Sequence, residues 1–249
     1  MKSNVNWNLE NEMFVQQPDF CLEQINKRIT ISKAPFVGAL FDLFLPNRCL
    51  ICSSTIGSQE ILCGRCIGAL KALSPAGTVQ KTPSIEKVYI FDDYDSPLTE
   101  LIKAYKYGPH KILERFLGYF LAHLLVYWAL PNKIVPIPSH RVSRRNRGFS
   151  SMENIVSRCK RDFYPEITPL PILKRLGEYI PQASISDPNQ RKANASKAYA
   201  LRDAPIPEEL VLVDDVMTSG NTLEAVARLI KSKRNDCRIN GAVFVKRGR

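Results

Sequence analysis

The segment from Leu210 to Thr222, LVLVDDVMTSGNT, constrains this chain more than any other stretch. Four consecutive aliphatic residues without polar alternation read as a strand buried on both faces, as in a parallel sheet. That strand, Leu210 to Val213, delivers Asp214 and Asp215 at its C-terminal end, where open α/β sheets bind ligands. The turn Thr218-Ser219-Gly220-Asn221-Thr222 follows directly after Met217 and opens a helix near Leu223. Unpaired N–H groups at such a helix start, together with small hydroxyls, make a nest for an anion. A ligand carrying a phosphate and, close by, vicinal hydroxyls would use both halves, with its phosphate on the turn and its diol on the two carboxylates. Residues 209–247 continue as strand, acidic turn, helix and strand, the pattern of a βαβ unit with parallel strands. Neither G-x-G-x-x-G nor a G-K-[ST] Walker loop occurs in the chain, so the glycine-rich nucleotide patterns do not compete.

A second pattern lies in the first third. Cys49 and Cys52 form one C-x2-C, ten residues intervene, and Cys63 with Cys66 form another. Each pair suits a tight knuckle, and the TIGSQE turn between them can bring the four thiolates together. Four sulfurs meet the tetrahedral preference of Zn²⁺ at about 2.3 Å per bond, and a full set of protein ligands marks a structural site. Reduced, unliganded cysteines and an iron–sulfur site are the alternatives. The remaining cysteines, Cys21, Cys159 and Cys237, are isolated, and the odd total of seven argues against a fully paired secreted chain.

Around these two patterns the chain divides into three parts. Residues 1–35 read as a poorly ordered or short-helical extension, with a helix available from Phe20 to Ile29. Residues 36–80 form the four-cysteine module with flanking helices, the first from Pro35 to Leu45. Residues 81–249 form the α/β domain. Within it we expect a strand from Val88 to Phe91, a helix ending near Lys106, a long buried helix from Lys111 to Ala129, and a strand in KIVPIPS. A basic loop with Arg141, Arg144, Arg145 and Arg147 then leads into a helix capped by Ser150 with Glu153. The 25 residues from Pro181 to Pro205 show little periodicity, which marks a loop that moves or binds. His123 sits among apolar residues and is expected to make a local hydrogen bond, His110 is a turn residue, and His140 stands beside the arginine run. The 15-residue apolar run from Phe116 to Leu130 is too short for a confident membrane span. Residues 1–11 lack the basic and apolar regions of a secretory signal, so a soluble, cytoplasmic protein is expected.

The thirteen residues from Leu210 resemble the signature by which type I phosphoribosyltransferases bind 5-phosphoribosyl-1-diphosphate. The order of blocks narrows the resemblance: a four-cysteine module, AYKYG, VPIPSHRVSRRNRGFS, PQASIS with Arg191 and Asn194, then LVDDVMTSGNT. This order is similar to the ComF family, bacterial proteins linked to natural competence and DNA uptake, over roughly residues 36–247. The resemblance implies a type I phosphoribosyltransferase-like α/β fold, largely parallel and flanked by helices, with an amidophosphoribosyltransferase-like domain. It also implies that Asp214 and Asp215 hold the ribose hydroxyls and that Met217 to Thr222 (Met217, Thr218, Ser219, Gly220, Asn221, Thr222) hold the 5′-phosphate. Mg²⁺ would accompany the diphosphate.

Lys106 and Tyr107 match the family's KY pair near the pyrophosphate loop, where Lys106 would neutralise diphosphate oxygens; a helix-end lysine facing water is the alternative. Arg144, Arg145 and Arg147 match the basic run before Gly148-Phe149 and could clamp diphosphate or a nucleic-acid backbone. Gln182, Ser186, Arg191 and Asn194 match a polar segment that can serve as a lid. One departure is Ser150-Ser151, where the family has Asn-Gln, which removes two amide side chains from that place.

Two functional classes follow. One is a phosphoribosyltransferase of unknown acceptor, with Asp214, Asp215 and Lys106 doing the work by positioning and charge. Residue 2 is Lys, so the N-terminal cysteine of an internal glutaminase is not expected. The other is a non-enzymatic protein that binds single-stranded DNA or senses a phosphosugar alongside the DNA-uptake machinery. The net charge of +11 favours polyanionic partners, and residues 133–161 and 228–249 each hold eight basic residues against one acidic. Phe91, Tyr94, Tyr105 and Tyr107 are stacking candidates in that second class, with core packing or rim exposure the favoured alternative.

Overall fold

The strand that carries Asp214 and Asp215 lies inside a six-stranded sheet, so the chain around it is built to cover both faces. A computed structural model of the chain describes residues 18–27, 47–57, 60–75, 79–108, 110–138, 151–176 and 198–248. In chain order the elements are helix α1 (Pro18–Asn26), α2 (Gly64–Lys71), strands β1 (Val79–Thr82) and β2 (Ile85–Asp93), then α3 (Pro97–Tyr107) and α4 (Glu114–Tyr127). Strand β3 (Lys133–Pro136), α5 (Ser151–Asp162), β4 (Thr168–Pro169), β5 (Leu173–Arg175) and β6 (Tyr199–Leu201) follow. The chain closes with β7 (Glu209–Met217), α6 (Asn221–Lys233) and β8 (Arg238–Lys246).

The sheet order is β1-β2-β8-β7-β3-β4. Only the β1–β2 pair is antiparallel; every other neighbour runs parallel. This is the α/β, largely parallel arrangement that the βαβ pattern implied. Val211 and Val213 of β7 join a core with α3, α4 and α5, whereas Leu210 and Leu212 join a second core with α6 on the opposite face. The period-2 alternation of the strand therefore feeds two apolar layers, and this is why the strand reads as a continuous aliphatic run. Gly241 of β8 sits opposite Val88, and a Cβ there would stand 3.1 Å from Val88 Cγ1. The β2–β8 approach needs that glycine.

Several boundaries differ from expectation. β2 runs from Ile85 to Asp93, longer at both ends than Val88 to Phe91, because β8 pairs with it from Lys87 to Asp93 and β1 pairs with Ile85. The helix expected from Lys111 to Ala129 starts as a 3-10 turn, Lys111–Leu113, and stops at Tyr127, with Ala129 in the left-handed region at φ 46°. The unpatterned 25-residue stretch contains β6, which pairs antiparallel with β5 to form a second, two-stranded sheet. Three-residue strands joined across a long separation leave no period to read. The helix Pro18–Asn26 packs into the main core through Leu22 and Ile25, each 1% exposed.

His123 Nδ1 has no hydrogen-bond partner, contrary to the local bond expected there. Its ring instead meets Phe91 edge-on at 5.8 Å, and burial pulls its pKa down to about 4. Among the described residues no helix is long and apolar enough to cross a membrane. The helix expected over residues 35–45, His140, the arginine loop, Ser150 and the segment holding Gln182, Ser186, Arg191 and Asn194 all lie outside the described residues.

Candidate functional site

The metal centre is assembled from two local turns. Ser53 N–H donates to the Cys49 carbonyl at 2.9 Å and Cys49 N–H to the Ser54 carbonyl at 2.8 Å. Ser53 takes φ 60°, which tightens the first knuckle. Cys63 caps α2, and the Cys66 N–H points at Cys63 Sγ at 3.4 Å. The four Sγ atoms of Cys49, Cys52, Cys63 and Cys66 lie within 4.8 Å of one another, and Cys52 and Cys63 approach to 3.6 Å. Bonds of about 2.3 Å in a tetrahedron require sulfur separations of about 3.8 Å, so the four residues fit a zinc ion. The proton chemistry agrees. Bonding to Ser54 pulls the Cys52 thiol down to about 5, while burial and the neighbouring cysteines push Cys66 upward. Thiols this close cannot all ionise without a cation among them.

A buried brace fixes this module to the rest of the chain. Asn26 Nδ2 donates to the Leu62 carbonyl at 3.0 Å and Asn26 Oδ1 accepts from the Leu62 N–H at 2.8 Å. Lys27 and Glu60 add an isolated antiparallel bridge beside it.

The second site lies at the C-terminal edge of the parallel sheet. β7 does not stop at Val213 but continues to Met217, because Asp214, Val216 and Met217 still pair with Val243, Val245 and Lys246 of β8. Both acids thus stand on regular strand beside β8, just past the last β3 pairing at Val213. Gly220 then takes φ 74°, a left-handed conformation that favours glycine, and α6 begins at Asn221 rather than near Leu223. The Glu224 N–H closes the first turn on the Gly220 carbonyl at 3.0 Å. Asp214, Thr218, Gly220, Asn221 and Thr222 line one hollow at this strand-to-helix junction. Thr218 and Ser219 are exposed at its rim.

The structure brings Lys106 to this site. Its Nζ lies 2.7 Å from Asp215 Oδ1, an ion pair between the end of α3 and the end of β7. Asp214 accepts the Asp215 N–H at 2.9 Å. Burial, and then the charge of Asp215, push the Asp214 carboxyl up to about 7, while Lys106, that backbone bond and Arg175 act in the opposite direction. Tyr107, next to Lys106, is 87% exposed. Of the other aromatic candidates, Phe91 and Tyr105 are core residues. Tyr94 is half-buried, with Arg247 Cζ 5.1 Å and Lys103 Nζ 5.5 Å from its ring centre.

Three side chains in this region have no sequence motif to announce them. Arg175 Nη1 donates to the Pro138 carbonyl at 3.1 Å and to Tyr199 Oη at 2.9 Å, tying the two-stranded sheet to the segment after β3. Glu224 accepts from Thr82 Oγ1 at 2.7 Å, Ser84 Oγ at 2.9 Å and Arg228 Nε at 2.7 Å, locking the first turn of α6 to the β1–β2 hairpin. Buried Glu114 accepts from Tyr105 Oη at 3.2 Å and Asn154 Nδ2 at 3.0 Å, joining α3, α4 and α5. Several cations of the two basic segments are neutralised nearby: Arg158 and Arg161 by Asp162, Arg234 by Asp236 and Arg238 by Glu209.

Comparison with known proteins agrees with this geometry. Residues 181–249 match the phosphoribosyl transferase domain family. The chain is similar to competence protein F of Haemophilus influenzae, 28% identical over 183 residues, covering 68% of this chain and 78% of that protein. It is also similar to the DNA utilization protein YhgH of Escherichia coli K12, 26% identical, covering 73% and 83%. Competence protein ComFC of Streptococcus pneumoniae is 23% identical, covering 55% and 59%.

Proposed function

The chain belongs to the ComF family of competence and DNA-utilisation proteins, and from that premise we propose that it binds 5-phosphoribosyl-1-diphosphate with Mg²⁺ in a role linked to DNA uptake. The observation that carries this reading is the junction at the end of β7: two carboxylates on regular strand, followed by a left-handed Gly220 that opens α6. In this reading Asp214 and Asp215 accept the ribose 2′ and 3′ hydroxyls. The N–H groups and hydroxyls of Thr218, Ser219, Gly220, Asn221 and Thr222 hold the 5′-phosphate, with Met217 at the strand end beneath them. Tyr107 and the arginines 144, 145 and 147 border the diphosphate. Mg²⁺ in this reading accompanies the diphosphate. Bound there, it would neutralise charge on the leaving group.

The reaction we propose is phosphoribosyl transfer: an acceptor nucleophile attacks the anomeric carbon, and the C–O bond to diphosphate breaks to release pyrophosphate. The chain contributes position and charge to that step, not a covalent nucleophile. A second reading is favoured by Tyr107, a large exposed ring beside a lysine, and by the net charge of +11. It is a non-catalytic role in which a single DNA strand lies on the same edge, with salt-dependent affinity.

Ligand-dependent melting separates these readings. With Mg²⁺, 5-phosphoribosyl-1-diphosphate is expected to raise the melting temperature more than ribose 5-phosphate does, since only the folded state holds the site in register. Pyrophosphate release that appears with one acceptor in a panel of nucleobases and ammonia supports the transferase. Binding with no release across the panel supports the non-catalytic role, and no shift with either sugar phosphate removes the phosphoribosyl reading and leaves the DNA-binding one.

A further inference from the structure

The resemblance places Lys106 at the diphosphate, yet the structure places its ammonium on Asp215. We propose that Lys106 is a positioning residue for the ribose half of the site, holding Asp215 aimed so that Asp214 and Asp215 can together accept two hydroxyls. This inference rests on the phosphoribosyl reading above and reassigns one residue within it.

The geometry is specific. The Lys106–Asp215 contact is 2.7 Å, and the two side chains are 23% and 13% exposed, so it is shielded from water more than a surface pair. Its helix is anchored at the adjacent residue, where Tyr105 Oη donates to buried Glu114, which also accepts from Asn154 of α5. Lys103, one turn earlier, pairs with Glu100 at 2.7 Å and is not available to replace Lys106.

The need for such a cation follows from the neighbours. Asp214 and Asp215 are consecutive on β7, and the charged groups acting on Asp214 are Asp215, Lys106 from α3 and Arg175 from β5. Arg175 is committed to the Pro138 carbonyl and Tyr199 Oη. Without Lys106 the repulsion between these adjacent carboxylates would be offset less, so the Asp214 carboxyl, already raised by burial and by Asp215, would hold its proton to higher pH. A protonated carboxyl has lost acceptor capacity, and a pair in that state accepts two hydroxyls less well.

The test uses two ligands that differ only in the diphosphate. Zinc-loaded full-length protein, Lys106→Met and Lys106→Arg are titrated calorimetrically with ribose 5-phosphate and with Mg²⁺ 5-phosphoribosyl-1-diphosphate, between about pH 7 and about pH 9. Lys106→Met is expected to weaken both ligands by the same factor, about tenfold at pH 7. Its affinity for ribose 5-phosphate should recover as the pH rises and the Asp214 carboxyl ionises, a trend that a misfolded variant cannot show. Lys106→Arg should retain most of the affinity. Loss confined to the diphosphate-bearing ligand would overturn the proposal and return Lys106 to the leaving group. Unchanged or tighter ribose 5-phosphate binding would also overturn it, by showing that the lysine only occupies an empty acid. If the parent protein binds neither ligand, the phosphoribosyl reading itself fails and takes the inference with it.

Discussion

The metal end and the phosphosugar end of this molecule each crowd like groups together, four thiols in one and two carboxylates in the other, and they relieve the crowding by different means. The thiols come from one stretch of 18 residues and need a cation that the chain does not itself supply. The carboxylates stand in the middle of a sheet, and distant parts of the chain bring Lys106 and Arg175 toward them. The contrast teaches where the folding energy comes from. A short segment with two knuckles can gain order from a bound metal, and it also packs into the core through Ile61, Leu62, Ile67 and Leu70 and is braced by Asn26. Asp214 and Asp215 contribute no such order, because β3 and β8 hold their strand whether or not they are charged.

Removing a thiol should therefore damage the fold far more than removing a carboxylate. Cys49→Ser is expected to lose its zinc and open residues 47–75 to proteolysis, a local loss on the order of several kcal/mol, with the sheet intact. Elemental analysis and limited proteolysis check this; a full zinc equivalent retained by the variant contradicts it. A smaller effect, of opposite sign, is expected at the other end. Asp214 has its pKa raised from 3.8 to about 7, so the folded state binds more protons than the unfolded one across that interval. Stability is thus present below about pH 4 and declines as the pH rises through 7. Asp214→Asn should melt higher than the parent by a margin that grows from pH 4 to 7 and then levels off, worth on the order of a few kcal/mol. A margin that shrinks over that interval breaks the comparison. The smallest effect concerns the join between the two regions. Asn26→Ala leaves the Leu62 N–H and carbonyl without their partner and should cost about 1–3 kcal/mol, read as faster hydrogen exchange at Leu62 than in the sheet.

What could be read from the sequence was what is local in sequence. The C-x2-C pairs and the strand-turn-helix from Leu210 to Thr222 are each contiguous, so spacing alone carried their geometry. The end of β7 was placed at Val213 because hydrophobicity stops there; strand pairing with β8 carries it to Met217, and no single-strand pattern could show that. β5 and β6 are three residues each and exist only as a pair, which is why the stretch holding β6 shows no period. Lys106 is found by resemblance, but its pairing with Asp215 could not be read from sequence, since that partner lies beyond four intervening strands. Glu114 and Glu224 fall in no motif, yet each collects hydrogen bonds from other elements.

The most direct test of the account is a calorimetric titration of zinc-loaded protein with Mg²⁺ 5-phosphoribosyl-1-diphosphate, run beside the double variant Asp214→Asn, Asp215→Asn. The parent should bind one equivalent saturably. The variant, folded and zinc-loaded, should bind at least about tenfold more weakly, because amides replace the charge-assisted acceptors of two ribose hydroxyls. No binding heat from the parent at millimolar ligand, or equal affinity in parent and variant, would contradict the assignment of this strand end as a phosphoribosyl site.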